Sequence, residues 1–156
     1  MAAFTAHNSS QATVEHPLDR LWEVLTDPGT VQRLTPMVRR ITAHEDRWHW
    51  ELTTIPVLTH RIQPAFTEIM ELDPRKRISF VHDDARAKDE FVAADGVYTL
   101  REVERGTHLA IDLTIRARLP LPRLVSPAVE GVMHAVMTQM GNGFAANLER
   151  HLRRGS

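Results

Sequence analysis

The segment PAVEGVMHAVMTQMGNGFAANLERHL, residues 127–152, predicts a single long helix at the end of the chain. Apolar side chains recur in it every three or four positions, which places them along one face: Val129, Met133, Val136, Met140, Phe144, Leu148 and Leu152. At about 1.5 Å per residue, such a helix is roughly 39 Å long. A helix of this length needs a large apolar surface to cover its stripe, so we expect the rest of the chain to supply one.

The residues before this helix predict a sheet with two short helices near its start. Apolar spacing near 3.6 indicates helices from Pro17 and over Pro28–Leu34. Alternation with a period of two predicts seven strands, at 4–15, 38–45, 47–55, 60–72, 77–82, 90–103 and 107–119. Short connections between consecutive strands imply an antiparallel sheet with helices on one face, which is an α+β fold.

Composition and charge limit the classes of protein that this chain can belong to. Its 156 residues predict one domain, 1–156, with a core at about 4–152. The formal net charge is −1, and Arg150, Arg153 and Arg154 complement the dipole of the last helix, so no nucleic acid partner is expected. The chain has no cysteine, which excludes disulfides and thiol nucleophiles. With no signal peptide and no membrane span in the sequence, we expect a cytoplasmic protein of undetermined oligomeric state.

Two motifs and the order of the elements resemble a known superfamily. The motifs are Leu21-Trp22-Glu23-Val24-Leu25-Thr26-Asp27-Pro28 and Glu71-Leu72-Asp73-Pro74. Over about 12–152, the chain resembles the SRPBCC superfamily, which includes START, polyketide cyclase and Bet v 1-like proteins. The resemblance implies a helix-grip fold, in which a curved seven-stranded sheet wraps around the C-terminal helix and leaves an apolar cavity. It also implies a small hydrophobic ligand, such as a lipid or a polyketide-like metabolite.

Alternation along the strands predicts which side chains face that cavity. The strand residues are Trp48, Trp50, Leu52, Thr54, His60, Ile62, Phe66, Glu68, Met70, Phe80, His82 and Leu113. The last helix adds Met133, Met137, Met140, Gly141 and Phe144. A single bulge would reverse part of any strand row. The tryptophans either stack on a flat ligand or fill core volume, and the methionines suit an adaptable binding surface as well as a core.

Glu68 is the most informative residue in this set, because it places a carboxyl group in an apolar row. A carboxylate buried alone would raise its pKa, form an ion pair or bind something. The alternative is a position near the rim of the sheet, in water or beside an arginine. His60 and His82 lie near predicted strand ends, so they are solvated, hydrogen-bonded to the backbone, or involved in binding a ligand beside Glu68.

Two glycines interrupt the last helix, and each costs about 1 kcal/mol relative to alanine. About 200° of helical rotation separates Gly141 from Gly143, so the two cannot serve one purpose. Gly141 continues the flank of the apolar stripe and is predicted to border the cavity. Gly143 is predicted to face solvent or to mark a kink.

Other motifs in the sequence indicate neither a metal nor a cofactor. His44-Glu45 and His49 are spaced one residue too far apart for the HExxH zinc motif, and they lie in a predicted hairpin. Residues 141–146 match GxGxxA by letter but follow no strand, so they do not predict a dinucleotide site. Ser79 and Ser126 lack the context of a nucleophile elbow.

Three functions remain open at this point. The first is non-enzymatic binding or carriage of a small hydrophobic molecule between the sheet and the last helix. The second is a cyclase or dehydratase-type lyase with Glu68 as general acid or base, helped by His60 or His82. The aromatase and cyclase branch of the superfamily has an arginine where this chain has Met70, which counts against this second function. The third is a protein-interaction module with a filled core.

Overall fold

Seven strands form one antiparallel sheet, and the C-terminal helix packs against one of its faces in the computed structural model, which describes residues 2–154. The helices are α1 (Leu18–Leu25), α2 (Pro28–Leu34) and α3 (Ser126–Arg154). The strands are β1 (Ala2–Val14), β2 (Val38–His44), β3 (Arg47–Leu52), β4 (Ile55–Val57), β5 (His60–Ile62), β6 (Ala65–Asp73), β7 (Arg77–His82), β8 (Val92–Val103) and β9 (Gly106–Leu119).

The order of strands in the large sheet is β1-β9-β8-β7-β6-β3-β2, which leaves β1 and β2 as its edges. The connection from β1 to β2 contains α1 and α2, and this allows the two strands to lie at opposite edges. The architecture is the predicted α+β helix-grip fold, with two short helices after the first strand and a long helix at the end.

The predicted strand 60–72 is in fact two strands. His60 belongs to β5, which pairs only with β4 in a separate two-stranded hairpin. Pro64 precedes β6, and a proline has no N–H to continue a ladder. The expectation of one apolar row from His60 to Leu72 was therefore wrong. β3 likewise ends before Thr54, which lies between β3 and β4 and outside either strand.

Two hydrophobic clusters hold α3 on the sheet, one for each half of the helix. In the first, Val129 packs with Phe4, Phe66 and Leu119. In the second, the last turns of α3 pack with α1 and the far ends of the central strands: Leu21, Ile78, Leu100, Leu109, Leu148 and Leu152. Val129 and Leu152 are 0% exposed, so each half of α3 has an anchor of its own.

The two glycines of α3 face different surroundings. A β-carbon on Gly143 would lie 2.2 Å from Cγ of Pro36, so Gly143 packs against the connection between α2 and β2. The prediction that Gly143 faces solvent or marks a kink was wrong, because the sequence does not show which element crosses α3 there. Gly141 is exposed, and a β-carbon there would meet nothing within 4 Å.

Candidate functional site

Glu68 lies in the middle of β6, on the face of the sheet that α3 covers. Its neighbours in that row are Phe66, which belongs to the first cluster, and Met70, which packs against the second. Its Cα partners on the adjacent strands are Trp48 and His82. The side chain is only 4% exposed, so the carboxyl group is buried where the two clusters meet.

The Glu68 carboxyl group has no ion pair within residues 2–154, and its one hydrogen-bonding neighbour there is the indole of Trp50. Burial, which removes it from water, raises the pKa of Glu68 well above its ordinary value. The nearby charge of Asp95 acts in the same direction, whereas the indole of Trp50 favours the ionised carboxylate. Trp50 Nε1 reaches no acceptor within standard hydrogen-bond geometry among residues 2–154, so its hydrogen bond with Glu68 is a weak one. Glu68 therefore lies neither at the rim of the sheet nor in an ion pair with an arginine, the two alternatives that the sequence had left open.

Tyr98 is a further polar residue beside Glu68, and the sequence patterns did not single it out. It lies on β8, and its ring packs edge-on against Phe80, with ring centroids 5.4 Å apart. Burial, and secondarily the charge of Glu68, raises the pKa of Tyr98. The hydroxyl group therefore stays protonated and can donate a hydrogen bond. Alternation along the strand was a usable signal, because Tyr98 and the buried Leu100 share one face.

Apolar side chains around these polar groups are half-buried, in contrast to the fully buried anchors of α3. They come from the sheet and from the facing side of α3: Trp50, Met70, Ile111, Leu113, Ile115, Met133, Met140 and Phe144. The ring of Trp50 stacks on Phe66 at a centroid distance of 5.8 Å and an interplanar angle of 15°. These half-buried apolar side chains lie on two facing surfaces and pack against the clusters that flank Glu68, so this region is the candidate site.

The other residues that were predicted to line the cavity lie in the core or on the β4–β5 hairpin. Trp48 is buried in a small cluster with Val31 and Ile41 beneath α2, which is a core position. His60 lies on the β4–β5 hairpin, with Nδ1 3.2 Å from Oγ1 of Thr59. The remaining side chains are buried in or packed against the first cluster, or buried elsewhere in the core: Leu52, Ile62, Phe80 and Met137.

His82, the predicted helper of Glu68, binds a different carboxyl group. Its Nε2 lies 2.9 Å from Oε1 of Glu90, which is 8% exposed. Glu90 also accepts hydrogen bonds from the backbone N–H of Thr67 at 2.8 Å and from its hydroxyl group at 2.7 Å. His49 completes the network, with Nδ1 2.8 Å from Oγ1 of Thr67. The network holds His82 away from any hydrogen bond with Glu68.

Sequence reasoning did not find Glu90, Thr67 or His49, because their contacts depend on the folded chain. Thr67 lies in β6, and Glu90 lies 23 residues later, in the connection between β7 and β8. The pairing of His49 with Thr67 follows from the β3–β6 register, which alternation alone does not fix.

Two open clefts lie elsewhere on the molecule. One, of about 280 Å³, is bordered by α1, α2 and the end of α3 and includes Arg20, Glu23 and His151. The other, of about 490 Å³, lies over β1, β8 and β9 and includes Ser9 and Val97. Neither cleft contains a residue of the predicted lining set.

Within residues 2–154, no three histidine, aspartate or glutamate side chains converge into a group that could hold a metal ion. No helix in the same range is long and apolar enough to cross a membrane.

Solved structures with the same fold come from several organisms. A protein from Thermus thermophilus superimposes with a TM-score of 0.71 and 13% identity, over 96% of this chain and 99% of that chain. The Zhui aromatase/cyclase from Streptomyces sp. R1128 gives a TM-score of 0.68 and 14% identity, over 96% and 94%. The di-domain ARO/CYC StfQ from the steffimycin biosynthetic pathway gives 0.65 and 10%, over 98% of this chain and 53% of that chain. These identities show a shared fold alone.

A comparison with curated proteins finds no match. A family model described as polyketide cyclase / dehydrase and lipid transport matches residues 5–153, which is nearly the whole chain. The match agrees with the resemblance to the SRPBCC superfamily that the sequence motifs and the order of elements indicate. The chain therefore belongs to the polyketide cyclase / dehydrase and lipid transport family.

Proposed function

We propose that the protein binds a small, largely apolar molecule carrying a carbonyl or hydroxyl group, in the space between the sheet and α3. The observation that carries this proposal is Glu68, a buried carboxyl group with no ion pair in the described chain and with only the indole of Trp50 as a hydrogen-bonding neighbour. A buried polar group left unpaired costs roughly 1–3 kcal/mol. A ligand that pairs with Glu68 would offset that cost, and membership of a family that includes lipid transport supports the proposal.

The chemistry of the lining favours a ring-containing ligand. Trp50 Nε1 and the Tyr98 hydroxyl group can donate hydrogen bonds, and a neutral Glu68 can both donate and accept. The stacked rings of Trp50 and Phe66 offer a flat apolar wall, and the methionines of α3 can adapt to an irregular outline. A polyketide-like metabolite with a carbonyl oxygen fits these features. The second class of ligand that fits them is a lipid with one polar group.

A lyase is the second candidate function, because burial raises the pKa of Glu68, and a carboxyl group that keeps its proton above the usual pH range can act as a general acid. Two observations make a lyase less well supported than binding without catalysis. His82 is held by Glu90 and forms no hydrogen bond with Glu68. Met70 also provides no positive charge beside the carboxyl group.

Binding can be tested with the dye 1-anilinonaphthalene-8-sulfonate and with a hydroxyanthraquinone as a polyketide-like competitor. We expect saturable fluorescence from the native protein and displacement of the dye by the competitor. Met140→Trp should fill the site and weaken binding by about tenfold or more, since Met140 is half-buried toward the sheet. Gln139→Trp is the matched control, because Gln139 is exposed on the same helix.

The variant Glu68→Gln separates the polar contribution to binding affinity from the apolar contribution. It should leave dye affinity within a few-fold and weaken the hydroxyanthraquinone, whose hydroxyl and carbonyl groups would pair with Glu68. A folded protein that binds neither compound, or one that binds both equally well after Met140→Trp, would rule out a site between the sheet and α3. The interaction module with a filled core would then be favoured.

A further inference from the structure

The edge strand β1 has an unusually open backbone. It pairs with β9 over residues 2–14 without a break in register, and its other side pairs with no strand among residues 2–154. Residues 7–13 are exposed on both faces of the sheet. Apart from the ladder with β9, no backbone group of residues 2–13 hydrogen-bonds to the backbone of another part of the described chain.

The opposite edge, β2, carries the features that normally prevent strands from pairing. Arg39 and Arg40 are exposed on it, and the register with β3 shifts between Val38 and Arg40. Charged side chains and bulges are the usual means by which proteins protect a sheet edge. In β1, by contrast, residues 2–14 contain no lysine, arginine, aspartate, glutamate or proline.

We propose that β1 pairs antiparallel with β1 of a second copy of this chain, joining two seven-stranded sheets across a two-fold axis. An exposed, regular edge is a template for another strand, and a two-fold dimer uses the same patch on both copies. The pairing lies on the sheet edge, so it is independent of the ligand site between the sheet and α3.

The composition of β1 makes a second copy the fitting partner. With the axis near Ser10, Asn8 would oppose Ala12 and Ser9 would oppose Gln11, which sets no like charges against each other. His7 is the one titratable side chain in the strand, and it would oppose Thr13. β1 itself carries no lysine, arginine, aspartate or glutamate to match a charged peptide strand, and the neighbouring carboxylate of Asp112 already binds His7 and Ser9 of β1. An identical strand needs no complementary charge.

The absence of cysteine allows a direct test by cross-linking. Single-cysteine variants Ser9→Cys, Ser10→Cys and Gln11→Cys should each give a covalent dimer with a short bismaleimide, because these positions lie near the proposed axis. Thr42→Cys, exposed on the edge strand β2, should remain monomeric. Equal cross-linking of all four variants, or cross-linking of Thr42→Cys alone, would overturn the proposal.

Sedimentation velocity across a concentration series provides the second readout, on the full chain without cysteine. We expect a monomer–dimer equilibrium whose Kd rises about tenfold or more in Asn8→Lys/Ala12→Lys, where lysines would oppose each other. Thr42→Lys should leave that Kd unchanged. Circular dichroism would establish that each variant is folded. A monomeric wild-type protein throughout the series, or a dimer insensitive to the β1 lysines, would exclude the pairing.

Discussion

A β-carbon on Gly143 would lie 2.2 Å from Cγ of Pro36, well inside the contact distance of two carbon atoms. Helix α3 therefore approaches the connection between α2 and β2 as closely as a glycine permits. One turn later, Asn147 donates from Nδ2 to the carbonyl oxygen of Leu34 at 2.8 Å. These two contacts position the second half of α3 beside α2.

Gly143→Ala should lower the free energy of unfolding by about 1–3 kcal/mol, although alanine is the better helix former. The methyl group would collide with a proline ring, which has little freedom to move away. Urea unfolding followed by circular dichroism measures the change.

Gly141→Ala is the matched control, because a β-carbon there meets nothing within 4 Å. It should raise the free energy of unfolding by about 0.5–1 kcal/mol. Equal stabilisation by both alanines would mean that Pro36 does not press on Gly143.

Glu68→Gln should stabilise the protein increasingly as the pH rises above the ordinary pKa of a glutamate. The folded state holds a proton on Glu68 at pH values where the unfolded chain has lost it, because burial raises the pKa. Stability from this group is thus fully present below the unfolded pKa and is lost as the pH rises toward the folded value. Unfolding free energies of wild type and Glu68→Gln, measured from about pH 4 to about pH 9, should diverge with pH.

Glu71→Gln serves as the control for this profile, since Glu71 is exposed on the same strand. Its pH profile should parallel that of the wild type. If the Glu68→Gln profile also runs parallel to the wild type, Glu68 titrates normally, and both its desolvation and the lyase candidate lose their support.

Glu90→Ala should destabilise the fold by about 2 kcal/mol or more, because it leaves the buried backbone N–H of Thr67 and the buried Nε2 of His82 without Glu90 as their partner. The amide of Thr67 should also exchange its hydrogen faster, since Glu90 is its acceptor. Glu102→Ala, at an exposed position on β8, should change neither quantity. Unchanged exchange at Thr67 in Glu90→Ala would show that this hydrogen bond does not protect the amide.

Asp83→Asn should weaken the dependence of stability on pH at the acid end. Arg47 donates from Nε to Oδ2 of Asp83 at 3.0 Å, and this hydrogen bond lowers the pKa of Asp83. A lowered folded pKa gives stability above the ordinary value of 3.8 that is lost as the pH falls through the folded pKa. The pH midpoint of acid unfolding should therefore change in Asp83→Asn. It should not change in Asp84→Asn, because Asp84 is exposed. An equal change in both variants would rule out the ion pair as the cause.

The fold was predictable from the sequence because its signals are local. Pro28 and Thr35-Pro36 bracket α2, which spans the predicted residues, and the change of period marks where the helices end and the sheet begins. Alternation also placed Phe66, Glu68 and Phe80 in rows that the structure shows buried. Each of these signals depends on a few neighbouring residues.

The wrong predictions arose where a local sequence pattern was compatible with two different structures. Ile62, Pro64 and Phe66 keep their alternation through the break between β5 and β6, so only the missing N–H of Pro64 indicated the interruption. The hydrogen bonds of Glu90 depend on the register of distant strands. The contact between Gly143 and Pro36 depends on which element crosses α3. No spacing rule contains this information.

The separate anchors of α3 have a consequence for the kinetics of the molecule. Val129 and Leu152 lie in different clusters, so we expect the last turns of α3 to detach more readily than the whole helix, while its first turns stay on the sheet. Such partial opening costs less free energy than global unfolding, and native-state hydrogen exchange would register it as two protection levels within one helix. Entry and departure of the proposed ligand would then follow the partial opening, so mutations could change the residence time of that ligand without changing the melting temperature of the protein.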